Sequence, residues 1–245
     1  MENPTEMICV AGDVLPVTLD KQATPCASAK QQLVFGPGVQ LHNSKVIATK
    51  SGPFCQRGDT KMYWIDSNAK RYIPVKGDRV LGVVTSRLTD GWRVDIGSAE
   101  LATVSALSFE GSTKRNRPNV KIGDLLYGQL VIAMKDLEPE VVCVDSEFKA
   151  RGMGVLPAGG MLFAISQRAA RCLLLPDKCP LLELLGRELK FEVTVGLNGK
   201  VWVNSHSVKQ TVLIGKALTT VGLDSMAVDA VKQLAEQTIV SIRAI

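Results

Sequence analysis

Polar and apolar positions along this chain follow two periods in turn. From residue 7 to about residue 75 the apolar residues come in short runs broken by turn formers, which predicts strands. Residues 7–15 read as a strand interrupted at Gly12-Asp13. Residues 33–35, the turn Gly36-Pro37-Gly38 and the run from Val39 read as strand, turn and strand. Residues 45–49 and 61–66 add two more, punctuated by Ser51-Gly52-Pro53 and Ser67-Asn68-Ala69. The stretch 18–31 is small and polar and reads as a loop.

Residues 72–145 carry five further strand patterns, at 78–85, 92–96, 101–104, 124–133 and 140–144. Two of them begin with one cadence. Lys76-Gly77-Asp78-Arg79-Val80-Leu81-Gly82 and Lys121-Ile122-Gly123-Asp124-Leu125-Leu126-Tyr127-Gly128 each launch a strand from a Gly-Asp turn, with a second glycine five residues on. Glycine inside a strand marks a bulge or a tight bend. Five short, bent strands predict a small OB-type barrel, a fold whose face and loops bind oligonucleotides.

The period changes after residue 151. Gly152, Gly154, Gly159 and Gly160 suggest a flexible lead-in, and residues 161–166 a short strand. Pro180 and Gly186 bracket a helix over 181–186. Leu189, Phe191, Val193 and Val195 alternate with Lys190, Glu192 and Thr194, a half-buried strand. Asn198-Gly199 then signals a hairpin, with 200–204 returning. Residues 207–218 and 225–242 read as helices; in the second, Val228, Val231, Ala235, Ile239 and Ile242 share one face. The region is α+β, with helices on one face of a small sheet. A two-residue turn at Asn198-Gly199 would set Val195 opposite Trp202. Trp202 would then lie on the core face with Phe191, Val193 and Val195 and serve as a packing anchor.

Composition narrows the function classes. The 245 residues are enough for two or three domains, and 46% hydrophobic content can fill their cores. No run reaches the roughly 20 apolar residues of a membrane span, and residues 1–7 lack the basic start of a signal peptide. The six cysteines, 9, 26, 55, 143, 172 and 179, contain no Cys-x-x-Cys pair, so buried thiols in a reducing compartment fit better than zinc ligands or a disulfide framework. His42 and His206 sit in no nucleophile or acid–base constellation. No cofactor or metal is expected. The net charge of +5 permits a polyanionic partner without requiring one.

The charge is concentrated in one place. Lys114, Arg115 and Arg117 stand together with no acid between Glu110 and Asp124, flanked by Phe109 and Pro118. A charge run is most often a solvated face. Two of these three are arginines, however, suited to bidentate contact with phosphate or carboxylate. RNA phosphates and an acidic neighbouring subunit are both open as partners.

The order of modules resembles the cap subunits of the RNA exosome: a β-rich N-terminal domain (1–72), an S1-type OB barrel (73–148) and a KH-type α+β domain (149–245). Ser108-Phe109-Glu110-Gly111-Ser112-Thr113-Lys114-Arg115-Asn116-Arg117-Pro118-Asn119 is similar to a stretch of that family. So are Gly152-Met153-Gly154 and Gly196-Leu197-Asn198-Gly199 followed by Val201-Trp202-Val203, a Gly-x-Asn-Gly signature. The resemblance implies a non-catalytic subunit seated on RNase PH-like ring subunits beside the other cap subunits. It also implies weak, sequence-independent RNA contact on the way to 3′–5′ processing and decay, ribosomal RNA included, in nucleus, nucleolus and cytoplasm. The zinc ribbon of one cap relative is absent. RNA contact is expected from Lys114, Arg115, Arg117, Arg93 and Trp92. Gly196, Asn198, Gly199 and Trp202 are expected to be structural, because the glycines fall in a hairpin and form no Gly-x-x-Gly phosphate clamp between helices. In the Gly91-Trp92-Arg93-Val94 strand only one aromatic remains for base stacking.

Two other functions compete. A phosphorolytic exoribonuclease of the polynucleotide phosphorylase type carries KH before S1, behind large catalytic domains; here the order is reversed and no catalytic core fits. A free-standing S1/KH RNA-binding factor should be richer in aromatics than 5%.

Overall fold

The computed structural model describes residues 7–17, 33–57, 62–67, 69–134, 136–175, 179–223 and 228–243, and it divides into two units, Met1–Asn68 and Ala69–Ile245. In the first unit, β1 (Ile8–Cys9), β5 (Gly52–Arg57), β6 (Met62–Ile65) and β2 (Val34–Phe35) form one sheet in that order. β3 (Val39–His42) and β4 (Lys45–Ala48) form a separate hairpin. Its two turn residues, Asn43 and Ser44, both have positive φ, at 46° and 59°, as a type I′ turn demands. Cys9, Leu15, Val39, Val46, Ala48 and Ile65 make the core. The sequence pattern misses β5 because Gly52-Pro53 reads as punctuation. Pro53 lies near the start of that strand, where a missing N–H is tolerated, and pairs with Ile8. The loop read at 18–31 lies outside the described residues.

The second unit begins with the barrel. β7 (Arg79–Arg87), β8 (Gly91–Asp95), β9 (Ala102–Ser105), β10 (Leu125–Ile132) and β11 (Glu140–Val142) run in the order β11-β9-β8-β7-β10, and β10 also pairs with β11 to close the cylinder. All five strands fall where the pattern predicts. Gly77 and Gly123, with φ of 93° and 94°, supply the turns of the shared cadence. The second glycines serve close approach: a Cβ on Gly128 would lie 2.7 Å from the Val142 carbonyl oxygen. Bulges sit elsewhere, between Val84 and Ser86 and between Leu130 and Ile132. Inward-facing Val80, Val84, Trp92, Val94, Ile96, Leu126 and Leu130 fill the barrel. At its rim Tyr72 donates its hydroxyl to the Asp78 carboxylate at 2.7 Å, and burial raises the pKa of both groups.

The glycine-rich stretch after the barrel is not a flexible lead-in. β12 (Gly154–Val155) adds to β10, and Met153 is buried in the barrel core. The chain then folds as β13 (Met161–Ala164), α1 (Gln167–Leu173), α2 (Leu181–Glu188), β14 (Phe191–Val195), β15 (Lys200–Ser205), α3 (Val208–Leu223) and α4 (Val228–Arg243), with sheet order β13-β15-β14. Helix α1 is absent from the pattern reading. Its cap was visible, since the Ser166 hydroxyl accepts the Ala169 N–H at 3.1 Å. The helices bury Ala170, Leu181, Leu185, Ile214, Leu218, Val231 and Ala235 against Val195, Val201 and Val203 of the sheet.

The hairpin register differs from the expected one. Val195 pairs with Val201, and Thr194 with Trp202. The connection therefore has three residues, 197–199: a turn closed by Gly199 N–H to Gly196 C=O at 3.1 Å, then Gly199 at φ 79°. This is the common three-residue hairpin loop ending in a left-handed residue. Trp202 accordingly lies on the face of Thr194 and Leu162, opposite the helices. It is still only 2% exposed, because its indole packs on Gly160, where any side chain would collide with the ring.

Candidate nucleic-acid interface

The basic residues sit on a loop anchored on its N-terminal side. Cys143 N–H donates to Ser108 C=O at 2.9 Å, and the Glu110 carboxylate accepts Ala150 N–H at 2.9 Å. At the tip, Thr113 N–H donates to Asn116 C=O, and Asn116 N–H returns to the Thr113 hydroxyl, both at 3.0 Å. Phe109 meets Trp92 edge to face, with centroids 5.8 Å apart. Such a pair adds about 0.5–1.5 kcal/mol beyond burial.

The three cations are not equivalent. Arg117 donates to Thr89 C=O at 3.0 Å and stands 3.7 Å from the Asp90 carboxylate. Both side chains of that pair are exposed, so it contributes about 0–1 kcal/mol and mainly aims the loop at the β7–β8 turn. Lys114 and Arg115 are exposed and have no acceptor among the described residues. Arg93 points outward from β8 and pairs with Glu138 at 3.6 Å.

Trp92 does not present a stacking platform. It is 4% exposed, and its indole N–H has no acceptor among the described residues. The sequence held the signal: Trp92 alternates with Arg93 and shares its face with Val94 and Ile96, which are barrel core. Sequence reasoning also passed over Arg87 and Asn119. With Arg117 they line a cavity of about 230 Å³ beside Trp92, between the β7–β8 turn and the base of the loop.

The Gly196–Gly199 loop faces inward and fastens the α+β module to the barrel. Leu197 N–H donates to Arg79 C=O at 2.9 Å. The Asn198 carboxamide accepts from Leu81 N–H at 3.2 Å and donates to Leu81 C=O and Ile96 C=O, each at 2.7 Å. One side-chain amide thus pairs with the Leu81 residue as a neighbouring strand's peptide would. Gly196 must lack a side chain, because a Cβ would run into that carboxamide and lie 2.8 Å from Leu81 N. Lys200 adds a second strut, its ammonium 2.9 Å from Asp95 C=O and 3.5 Å from the Asp95 carboxylate. Among the described residues no group of three His, Cys, Asp or Glu could hold a metal, and no helix is long and apolar enough to cross a membrane. Burial pushes the Cys143 thiol up to about 12.

The sequence of the barrel matches the S1 domain of exosome complex component RRP40 over residues 72–154, and residues 160–209 match a KH domain. Residues 7–68 match the N-terminal domain of mammalian RRP40. Human exosome complex component RRP40 is 42% identical over 213 residues, 85% of this chain and 76% of its own. The chain belongs to the RRP40 family of exosome complex components. The fission yeast member (Schizosaccharomyces pombe) is 43% identical over 189 residues, covering 75% of this chain and 78% of its own. Exosome complex component Rrp4 of the archaeon Ignisphaera aggregans is more distant, at 28% over 207 residues. A crystal structure assigned to an exosome complex RNA-binding protein superposes with a TM-score of 0.58 at 20% identity, over 71% of this chain and 99% of that one, and supports the fold. The fold is mixed β and α+β, as the strand and helix pattern predicts, and its barrel and α+β modules are the S1 and KH domains that the resemblance implies.

Proposed function

We propose that this protein is a non-catalytic cap subunit of the RNA exosome. It helps hold RNase PH-like ring subunits together with the other cap subunits. It lends a weak, sequence-independent RNA contact to 3′–5′ processing and decay, ribosomal RNA maturation included, in nucleus, nucleolus and cytoplasm. The observation that carries the RNA role is the pair Lys114 and Arg115, exposed and without acceptors among the described residues, at the tip of an anchored loop on an S1 barrel. A pre-held cation pair meets phosphate at lower ordering cost than a free loop, and it reads charge without reading base.

The test is the complex assembled with Lys114, Arg115 and Arg117 all changed to Glu. Assembly is expected to be retained, RNA binding to weaken, and the dependence of binding on salt to become shallower, since fewer counterions are released. Loss of the variant subunit from the purified complex would make the loop a docking surface. Unaltered assembly, binding and decay would leave it a solvated face. The purified chain alone is expected to turn over no labelled RNA.

A further inference from the structure

Beyond the last barrel strand, residues 145–151 form a turn that holds an apolar ring in the open. Phe148 is 79% exposed, more than any other large apolar side chain among the described residues. Its φ is 59°, in the left-handed region that suits glycine and that a bulky side chain resists. A ring so exposed finds too few contacts in its own chain to offset that strain. Strain of this kind clusters at contact sites and switches.

The turn is also braced. The Asp145 carboxylate accepts the Glu147 and Lys149 N–H groups at 2.8 and 3.1 Å and stands 2.7 Å from the Arg151 guanidinium. Phe148 N–H donates to Asp145 C=O at 3.0 Å, and Asp145 N–H donates to Lys149 C=O at 2.9 Å. The Glu110 carboxylate ties Ala150 to the base of the basic loop. The backbone beneath the ring therefore has little freedom left to lose on binding, as suits an anchor residue.

Charge decides the kind of partner. Glu147 lies 3.6 Å from Lys149 and 2.8 Å from Arg151, and Asp145 also pairs with Arg151. Two acids are matched by two cations, so the turn carries no net charge, and Glu147 is the residue next to the ring. An aromatic platform for single-stranded RNA works within a positively charged groove that tracks the backbone. This turn offers no such groove. An aromatic side chain within a self-neutralised polar rim is the pattern of a protein interface anchor.

We propose that Phe148 anchors a protein contact, its ring entering an apolar pocket with an uncharged rim on a neighbouring subunit of the exosome. The proposal rests on the cap-subunit reading above. It sets one of that subunit's protein contacts beside the base of the loop that meets RNA.

The full chain with Phe148→Gly would be compared with the parent in two measurements: denaturant unfolding of the free chain, and affinity for the purified assembly of the remaining exosome subunits. The unfolding midpoint is expected at or above the parent's, because glycine relieves the left-handed strain. Affinity for the assembly is expected to fall about thirtyfold, the scale of an interface hot spot. The loss should be the same at low and high salt, since no charge is removed. Phe148→Leu should recover part of the affinity, because it restores an apolar side chain. Equal affinity for Phe148→Gly and the parent overturns the proposal. A midpoint well below the parent's also overturns it, by giving the ring a role in this chain's own fold. Unchanged assembly with weaker RNA binding by the complex overturns it too, and makes the ring a base platform. A parent chain that does not join the other subunits overturns the cap-subunit reading and the anchor together. A parent that joins, with Phe148→Gly joining equally well, overturns the anchor alone.

Discussion

Two motifs of similar length and similar conspicuousness, the 196–199 loop and the 113–118 loop, ended in opposite environments. The first contains one polar side chain, Asn198, and that side chain is 8% exposed, with all its bonds directed across the module boundary. The second contains three cations, and Lys114 and Arg115 are left open to solvent. The difference follows from what each group loses on burial. A neutral carboxamide can be buried when every donor and acceptor is met, and Leu81 and Ile96 meet them. A guanidinium or ammonium keeps most of its solvation unless an opposite charge is buried with it. Here the nearest acid to Arg117, Asp90, is itself exposed. A motif rich in charge is therefore free to meet a partner, and a motif with a single amide is free to become structure.

The sharpest way to break this comparison is Asn198→Leu. It leaves Leu81 N–H, Leu81 C=O and Ile96 C=O without their partner, at about 1–3 kcal/mol for each group. Denaturant unfolding is expected to show a larger loss than for any of the substitutions below; stability within experimental error of the parent would mean that the carboxamide does not hold the junction. Trp202→Ala should follow, at about 3–5 kcal/mol for a truncated buried indole. Because the ring packs on Gly160 and away from the helices, far-ultraviolet circular dichroism of the folded variant should be unchanged while its melting temperature falls. Gly199→Val forces a β-branched residue into the left-handed region and sets its Cβ 2.5 Å from Ile165 C=O. A cost of about 1–3 kcal/mol is expected, read as a shift in denaturant midpoint; a midpoint equal to the parent's would contradict the three-residue turn. The smallest effect belongs to the other loop. Glu at 114, 115 and 117 together should move stability by less than about 1 kcal/mol, since only exposed contacts are lost. A large melting shift would place those cations in the fold and undo the contrast.

Much of this architecture was legible in the chain. Short apolar runs between turn signals located all five barrel strands, alternation located β14, Asn198-Gly199 announced β15, and the 3–4 spacing located α4, because an element that buries one face prints the burial period in its own residues. Pattern failed where local signals conflicted. Gly52-Pro53 hid β5, and the short α1 offered only its Ser166 cap and two buried alanines. The Gly-rich stretch around Met153 looked loose because glycine reports permission to bend and says nothing of what packs beside it.

What the sequence alone determined, then, is most of the elements, their order, and the family to which they belong. Tertiary structure alone decided register and partnership. Whether the loop at Asn198 has two residues or three depends on Leu81, 117 positions earlier in the chain, which draws the carboxamide inward and turns Trp202 to the other face. The amide's three acceptor and donor contacts lie in β7 and just past the end of β8, in another module. No window along the chain contains them, because a hydrogen bond that closes so long a loop is fixed by the packing of both modules and leaves no periodic trace in either.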